Sequence, residues 1–140
     1  MIVPVFLPHL GCEKRCIYCN QDIITDVDAG DLASRIETNL ASRGGTFEVG
    51  LYGGNVFGIK PEVLRRLFSS FKNYRENITH FRISTQPVPL DDKVIAILKE
   101  NRVTTIELGI PTFNDTILAF LNRQHTKEDL VKAFYLLTEQ

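Results

Sequence analysis

Apolar residues along the chain follow two alternating spacings. We interpret four short segments as near-apolar strands, at residues 2–7, 47–52, 78–85 and 105–110. Such runs are typical of strands that are buried on both faces of a parallel sheet. In the segments between them, apolar residues recur every three to four positions, as in helices that bury one side. The pattern predicts an α/β fold in which strands and helices alternate.

Local signals mark the ends of these predicted elements. Pro4 lies within the first strand, and a proline cannot donate a ladder hydrogen bond, so we expect this strand at the edge of the sheet. The helix around Ile36 is expected to end near Gly44 and Gly45. Residues that favour the start of a helix mark the other helices. They are Pro61 as a first helical residue, Asp91 and Asn114 or Asp115 as N-caps, and Thr126 with Asp129 as a pair resembling a capping box.

The three cysteines of the chain lie close together, at Cys12, Cys16 and Cys19. A loop of this length can bring thiolates together around a metal centre, because the intervening residues let the backbone curl. A closed zinc site or a fully ligated iron–sulfur cluster takes four protein ligands. Three thiolates on a four-iron cluster leave one iron open, so the count favours a cluster that binds something else.

Two other interpretations of these cysteines remain open. Positions spaced by four and then three residues also share one face of a helix, where cysteines pack as small apolar side chains. Alternatively, His9 could join the cysteines as the fourth ligand of a zinc ion, although zinc sites usually draw their ligands from two separated pairs.

Composition excludes several classes of protein. The chain has 140 residues, 44% of them hydrophobic, and a formal net charge of −1. Such a balance gives no field that would attract nucleic acid or an anionic membrane. The sequence shows no signal peptide and no stretch near the ~20 apolar residues of a membrane span. We therefore expect no membrane partner, a cytoplasmic location and reduced cysteines.

The run Gly11-Cys12-x3-Cys16-x-Tyr18-Cys19 resembles the cluster-binding loop of the radical S-adenosylmethionine (SAM) superfamily. The resemblance implies that the three cysteines ligate a [4Fe–4S] cluster whose open iron binds the amino and carboxylate groups of SAM. It also implies reductive cleavage of SAM to methionine and a 5′-deoxyadenosyl radical. Tyr18 would then lie near the adenine.

Further positions fit the same resemblance. Gly53-Gly54-Asn55 stands where the family has Gly-Gly-Glu or Gly-Gly-Thr, whose backbone meets the SAM amino group. Arg123 lies in an Asn-Arg-x-His-Thr motif similar to that of the elongator-like and oxygen-independent coproporphyrinogen oxidase-like branches. There the arginine pairs with the SAM carboxylate. Ser84, at the end of the third strand, is a weaker candidate for a SAM contact.

The chain departs from the family pattern at several positions. Asn55 replaces the usual Glu or Thr, Gln86 stands where an arginine is frequent, and Pro111 stands where a glutamine is frequent. The changes at Asn55 and Pro111 favour the alternative function, an iron–sulfur or zinc-binding module without SAM turnover. Glu107, inside an apolar strand, is expected to be a barrel-lining or edge residue with a local partner rather than a ligand.

The resemblance covers residues 1–140 as one domain, with about four βα units of the six-unit partial (β/α) barrel of the family. The chain is therefore expected to lack the C-terminal units, unless another chain completes the sheet or the family has a reduced version of this core. The substrate would be a tRNA base, a tetrapyrrole or another small molecule. The family chemistry also implies an electron donor such as flavodoxin or ferredoxin.

Overall fold

A computed structural model describes residues 1–20 and 32–138 of the chain. The strands of this structure are β1 (Ile2–Phe6), β2 (Phe47–Tyr52), β3 (Ile78–Thr85) and β4 (Val103–Leu108). Its helices are α1 (Leu32–Ala41), α2 (Pro61–Ser69), α3 (Asp92–Glu100), α4 (Asp115–Phe120) and α5 (Lys127–Thr138), with single 3₁₀ turns at Val56–Gly58 and Lys72–Tyr74. None of the described helices has the length and apolar character needed to cross a membrane.

The four strands form one parallel sheet in the order β1-β2-β3-β4. Each strand lies beside the next one in the chain, with a helix in the connections from β2 to β3 and from β3 to β4. The predicted α/β class and the parallel sheet are confirmed. β1 lies at an edge of the sheet, where the missing N–H of Pro4 leaves no ladder hydrogen bond unmade.

One face of the sheet carries the apolar core. Phe81 of β3 lies at its centre and contacts Phe68 and Phe71, with ring centroids 5.2 and 5.1 Å apart and rings nearly perpendicular. Burial alternates along β1, where Val3 and Val5 are buried while their neighbours are exposed. Burial of every strand on both faces, the expectation from the apolar runs, is therefore wrong for β1.

β4 is shifted toward the N-terminus from the predicted segment 105–110. Arg102 has a φ of 59°, a left-handed conformation that turns the chain out of α3 and directly into the strand. The Arg102 carbonyl accepts a hydrogen bond from the Phe81 N–H at 3.0 Å, which begins the pairing with β3. At the other end the strand closes before Pro111, which has no N–H to donate.

The predicted helix starts are confirmed. The Asp91 carboxylate accepts a hydrogen bond of 2.8 Å from a backbone N–H in the first turn of α3. Asn114, rather than Asp115, caps α4, with a bond of 3.2 Å. Thr126 and Asp129 bond reciprocally, side chain to backbone N–H, at the start of α5.

Candidate functional site

A cavity of about 200 Å³ lies at the carboxyl end of the sheet. The segments that follow all four strands contribute to its lining, which includes the three cysteines, Gly54, Ser84 and Arg123. Tyr18 also lines it. The structure thus brings together residues that the sequence separates by more than a hundred positions, because the carboxyl ends of parallel strands meet at one edge.

The cysteines lie in an irregular loop after β1 and not on a helix. The interpretation of these residues as one face of a helix is therefore wrong. His9 and Gly11 adopt left-handed conformations, with φ values of 53° and 79°, which curl the loop before the first cysteine. Cys16 is buried, whereas Cys12 and Cys19 are half-buried, and all three thiols are free of disulfides.

The electrostatics of Cys12 show that the three thiols are neighbours. Burial raises the pKa of the Cys12 thiol, and the nearby thiolates of Cys16 and Cys19 raise it further. The charge of Arg123 and a hydrogen bond from the Gln86 side chain act in the opposite direction. A metal centre that stabilised the thiolates would relieve the same repulsion.

Arg123 ties the connection between α4 and α5 to the cysteine loop. Its Nη1 donates to the Cys16 Sγ at 3.5 Å and to the Tyr18 hydroxyl oxygen at 3.1 Å, and its Nη2 donates to the Gly109 carbonyl. The adjacent Asn122 side chain donates to a carbonyl of the cysteine loop at 2.7 Å. The predicted site arginine therefore lies beside the thiols, with part of its donor set occupied by the protein.

The two glycines after β2 pack against the cysteine loop. Gly53 has a φ of 84°, and its carbonyl accepts a hydrogen bond from the His9 N–H at 3.2 Å. A side chain at Gly54 would place its Cβ 2.6 Å from the Leu10 carbonyl oxygen and 2.8 Å from that of Leu7. The close approach at Gly54 is thus made by the chain's own backbone, and the contacts of both glycines with SAM stay predictions.

Asn55 lies behind the cavity and does not line it. Its side chain is fully buried, and its Oδ1 accepts hydrogen bonds from the Thr85 hydroxyl at 2.8 Å and the Gln86 N–H at 3.1 Å. The prediction for this position concerned backbone contacts only. Sequence reasoning missed the role of the side chain, because its partners lie thirty residues away and leave no local pattern.

Several polar atoms around the cavity are buried without a hydrogen-bond partner among the described residues. They are the Gln86 Oε1, the Arg123 Nε and both ring nitrogens of His125. Burial lowers the pKa of His125 to about 4, and the nearby charge of Arg123 lowers it while that of Asp129 opposes the shift. Buried polar atoms of this kind normally pair with protein, water or ligand.

The sheet face opposite the core carries a chain of charges. Arg82 donates to Glu48 at 2.8 Å and to Glu107 at 2.7 Å, and the His80 Nε2 lies 3.2 Å from the same Glu48 oxygen. The hydrogen bond from Arg82 lowers the pKa of Glu48, and the positive charges nearby add to the shift. The expected local partner of Glu107 is confirmed as Arg82.

The cysteines suit an iron–sulfur cluster by their chemistry. Across residues 1–20 and 32–138, no group of three or more His, Cys, Asp or Glu side chains is arranged to hold a metal ion. Thiolates are nevertheless the ligands of such clusters, and three free cysteines line one cavity. Each thiolate of a cubane binds a different iron, so the sulfurs need not meet at one point.

The fold and the site define a class of protein: a parallel α/β domain of the partial-barrel kind, with a cysteine-lined cavity at the carboxyl end of its strands. The family model described as the radical SAM superfamily matches residues 6–140. The chain belongs to this superfamily.

Relatives with curated names agree with this assignment. The chain is 27% identical over 124 residues to the heme chaperone HemW of Lactococcus lactis subsp. lactis (strain IL1403), a match that covers 83% of this chain and 32% of the relative. It is 25% identical over 136 residues to the heme chaperone HemW of Bacillus subtilis (strain 168), covering 88% and 35%. The chain thus spans about a third of the length of these relatives.

A solved structure shows the same fold. It is an archaeal Elp3 from Methanocaldococcus infernus with an N-terminal deletion, with a TM-score of 0.58 and 18% sequence identity. The match covers 94% of this chain and 33% of that one. The predicted likeness to the elongator-like and related branches is confirmed.

Proposed function

We propose that this chain is part of a radical SAM enzyme core that binds a [4Fe–4S] cluster through Cys12, Cys16 and Cys19. The observation that carries the proposal is the convergence of three free cysteines, Gly54 and Arg123 on one cavity at the carboxyl end of the sheet. Family membership supports the same chemistry. When bound, the cluster supplies the electron that cleaves SAM to methionine and a 5′-deoxyadenosyl radical.

The residues of the chain would bind and orient SAM beside the cluster. Arg123 is suited to the carboxylate, because a guanidinium can present two parallel N–H donors to it. Gly53 and Gly54 would offer backbone groups to the amino end, and Ser84 a hydroxyl from the next strand. The predicted backbone contact of Asn55 is not part of this proposal, because its N–H bonds the Leu10 carbonyl and its own carbonyl accepts from the Gly58 N–H. Tyr18 would lie near the adenine, since its ring is exposed at the mouth of the cavity.

The partners and the extent of the domain belong to the same proposal. Residues 1–140 would form about four units of a larger core, and β4, whose side chains are half-exposed, would pair with further strands of the protein or of another chain. The electron would come from a donor such as flavodoxin or ferredoxin, in the cytoplasm.

Two substrate classes follow from the family branches, a tRNA base and a tetrapyrrole or other small molecule. The relatives named heme chaperones favour a tetrapyrrole. Titration with hemin, followed by absorbance, and titration with tRNA, followed by electrophoretic shift, separate the two classes. Binding of tRNA without binding of hemin would contradict the tetrapyrrole.

The proposed function is tested by anaerobic reconstitution with iron and sulfide, followed by electron paramagnetic resonance of the reduced protein. We expect a four-iron signal that changes when SAM is added, because SAM would bind the open iron. A signal indifferent to SAM would leave a cluster-binding module without SAM turnover. Zinc binding with no cluster would return the cysteines to the His9 zinc interpretation.

The Cys16→Ala variant provides the matching ligand test. Removing one of three thiolates should abolish the four-iron signal and most of the bound iron. Val88→Ala is a suitable control, because Val88 and Cys16 are each 8% exposed and lie at the same end of the sheet. Full iron retention in Cys16→Ala, measured as iron per chain, would exclude Cys16 as a ligand.

A further inference from the structure

Asn55 links three separate segments at the carboxyl end of the sheet. Its Oδ1 accepts from the Thr85 hydroxyl and the Gln86 N–H, and its Nδ2 donates to the Gln124 Oε1 at 3.3 Å. Its own N–H donates to the Leu10 carbonyl at 2.7 Å. Both polar atoms of this fully buried side-chain amide are hydrogen-bonded. Loss of the amide would leave its buried partner groups unpaired, so the side chain does more than occupy a turn.

The cysteine loop packs directly on Asn55. A side chain at Gly11 would place its Cβ 2.1 Å from the Asn55 carbonyl oxygen, so only a glycine allows this approach. A side chain at Gly58 would meet the Gly11 carbonyl at 2.1 Å and the Asn55 Nδ2 at 2.9 Å. The backbone just before Cys12 is therefore located by Asn55 and its neighbours.

Two side chains that face the cysteine sulfurs are attached to this network. Gln86, whose backbone is held by Asn55, lines the same cavity as Cys12, and its side chain lowers the pKa of that thiol. Arg123, which donates to the Cys16 Sγ, directly precedes Gln124, the residue that Asn55 bonds. The Oδ1 of Asn55 thus connects to Gln86 and its Nδ2 connects to the residue after Arg123, and both of these side chains lie near the thiols.

We propose that Asn55 is a positioning residue. Its buried side chain fixes the positions of Gln86 and Arg123 relative to the sulfurs of Cys12 and Cys16. It acts through these neighbours and not by contact with a ligand. The proposal rests on the proposed function only in taking the cavity as the place of the cluster. N–H donors to sulfur are among the factors that set the reduction potential of such clusters. The placement of Gln86 and Arg123 beside the sulfurs would therefore affect the potential.

The first test is amide hydrogen exchange in the metal-free protein. The N–H groups of Cys12, Ile17 and Cys19 bond to carbonyls within or next to the loop, so their exchange reports on its order. In Asn55→Ala we expect these amides to exchange about tenfold faster or more, the effect of one or two lost buried hydrogen bonds. Exchange at the wild-type rate in folded Asn55→Ala would overturn the proposal.

Gln124→Ala keeps the test decisive if Asn55→Ala does not fold. Gln124 is half-buried, and its loss removes one arm of the network and leaves the other. Faster exchange of the same amides is expected, by a smaller factor. The matched control is Asn77→Ala, because the Asn77 side chain donates to the Gly45 carbonyl at 2.9 Å at the opposite end of β3. This control should leave the loop amides unchanged.

The second test measures the midpoint potential of the reconstituted cluster. We expect a shift to more negative values in Gln124→Ala and none in Asn77→Ala, because N–H donors to sulfur stabilise the more negatively charged reduced state. Equal potentials in Gln124→Ala and wild type would overturn the positioning role. Failure of the wild type to load a cluster would refute the proposed function, and the exchange experiment would still decide the role of Asn55.

Discussion

The helix-covered face of the sheet and its carboxyl end belong to the same four strands but bury different kinds of side chain. On the covered face, side chains such as Phe71 and Phe81 are apolar and fully buried. At the carboxyl end, the buried set includes polar residues, Asn55, Thr85, Gln86 and His125. The first region gains free energy from removing apolar area from water. The second gains little, because each buried polar atom must first replace its bonds to water.

The contrast separates the region whose apolar burial maintains the fold from the polar region around the cysteine cavity. Atoms that are buried without a hydrogen-bond partner among the described residues, such as the Gln86 Oε1 and the ring nitrogens of His125, lower stability unless water or a ligand compensates them. The chain keeps them around the cysteine cavity, where a cofactor and its ligand would supply charge and hydrogen bonds. Variants in the two regions should therefore affect different measurements.

Phe81→Ala should produce the largest loss of stability. Phe81 is fully buried at the centre of three rings, and removing such a side chain costs about 3–5 kcal/mol through lost transfer free energy and a residual cavity. Urea unfolding followed by circular dichroism measures the change. Phe113→Ala is the control, since Phe113 is 59% exposed and should change stability by less than about 1 kcal/mol. Equal losses in the two variants would contradict the assignment of the core.

The sequence predicted the covered region better than the carboxyl end for a physical reason. Apolar periodicity is local, so it identified the strands and helices, and short-range capping signals at Asp91 and Asn114 were readable in the same way. The start of β4 at Val103 was misplaced because the left-handed conformation of Arg102, which turns the chain into the strand, has no marker in the sequence.

The site could be predicted only where a motif was compact. The three cysteines were found through their number and spacing and Arg123 through a family resemblance, and the structure brings them to one cavity. The hydrogen bonds of Asn55 to Gln86 and Gln124 join residues 31 and 69 positions apart, and no local pattern encodes such pairs. Gln86 drew attention only as a departure from the family, not as a neighbour of Cys12.

His125 should make stability depend on pH in the acid range. Its pKa in the folded chain is about 4, below the ordinary value of about 6.5, so the unfolded chain takes up the proton first. The free energy of unfolding should therefore fall as the pH drops from about 6.5 to about 4, by at most about 3 kcal/mol. Arg123 and Asp129 are the charged groups that face the ring.

The measurement is a series of urea unfolding curves across that pH range for wild type and His125→Phe. The variant cannot titrate at this position, so its stability should change less with pH. His80→Gln is the control, because His80 lies on the opposite face of the sheet and its removal should leave the slope due to His125 in place. An unchanged slope in His125→Phe would assign the acid sensitivity to other groups.

Arg123→Ala should affect binding more than folding. Loss of a charged hydrogen bond to the SAM carboxylate would weaken SAM binding by about 1–3 kcal/mol, roughly 5- to 150-fold. Calorimetric titration of the reconstituted protein with SAM measures the effect. Arg75→Ala is the matched control, because Arg75 also donates to a backbone carbonyl, that of Glu100, but lies outside the cavity lining. Unchanged affinity in Arg123→Ala would remove Arg123 from the SAM site.

The smallest effect is expected on the open face of the sheet, where polar groups are paired and near water. The pKa of Glu48 is lowered, chiefly by the hydrogen bond from Arg82, so the stabilisation is present above the ordinary carboxyl pKa of about 4.3 and is lost as the pH falls through the lowered value. Because Arg82 and Glu107 are both partly exposed, Glu48→Gln should cost less than about 1 kcal/mol at pH 7 and nothing at pH 2.

Unfolding of Glu48→Gln and Glu107→Gln in a His125→Phe background isolates this contribution from that of the histidine. Glu107 is 41% exposed and Glu48 is 12% exposed, so Glu48→Gln should show the larger loss at neutral pH. A loss of unfolding free energy well above about 1 kcal/mol in either variant would show that polar pairs on the open face matter as much as those at the carboxyl end. Losses within the expected range would mean that stability depends strongly on polar pairing only at the carboxyl end. On the open face, water would replace the missing partner.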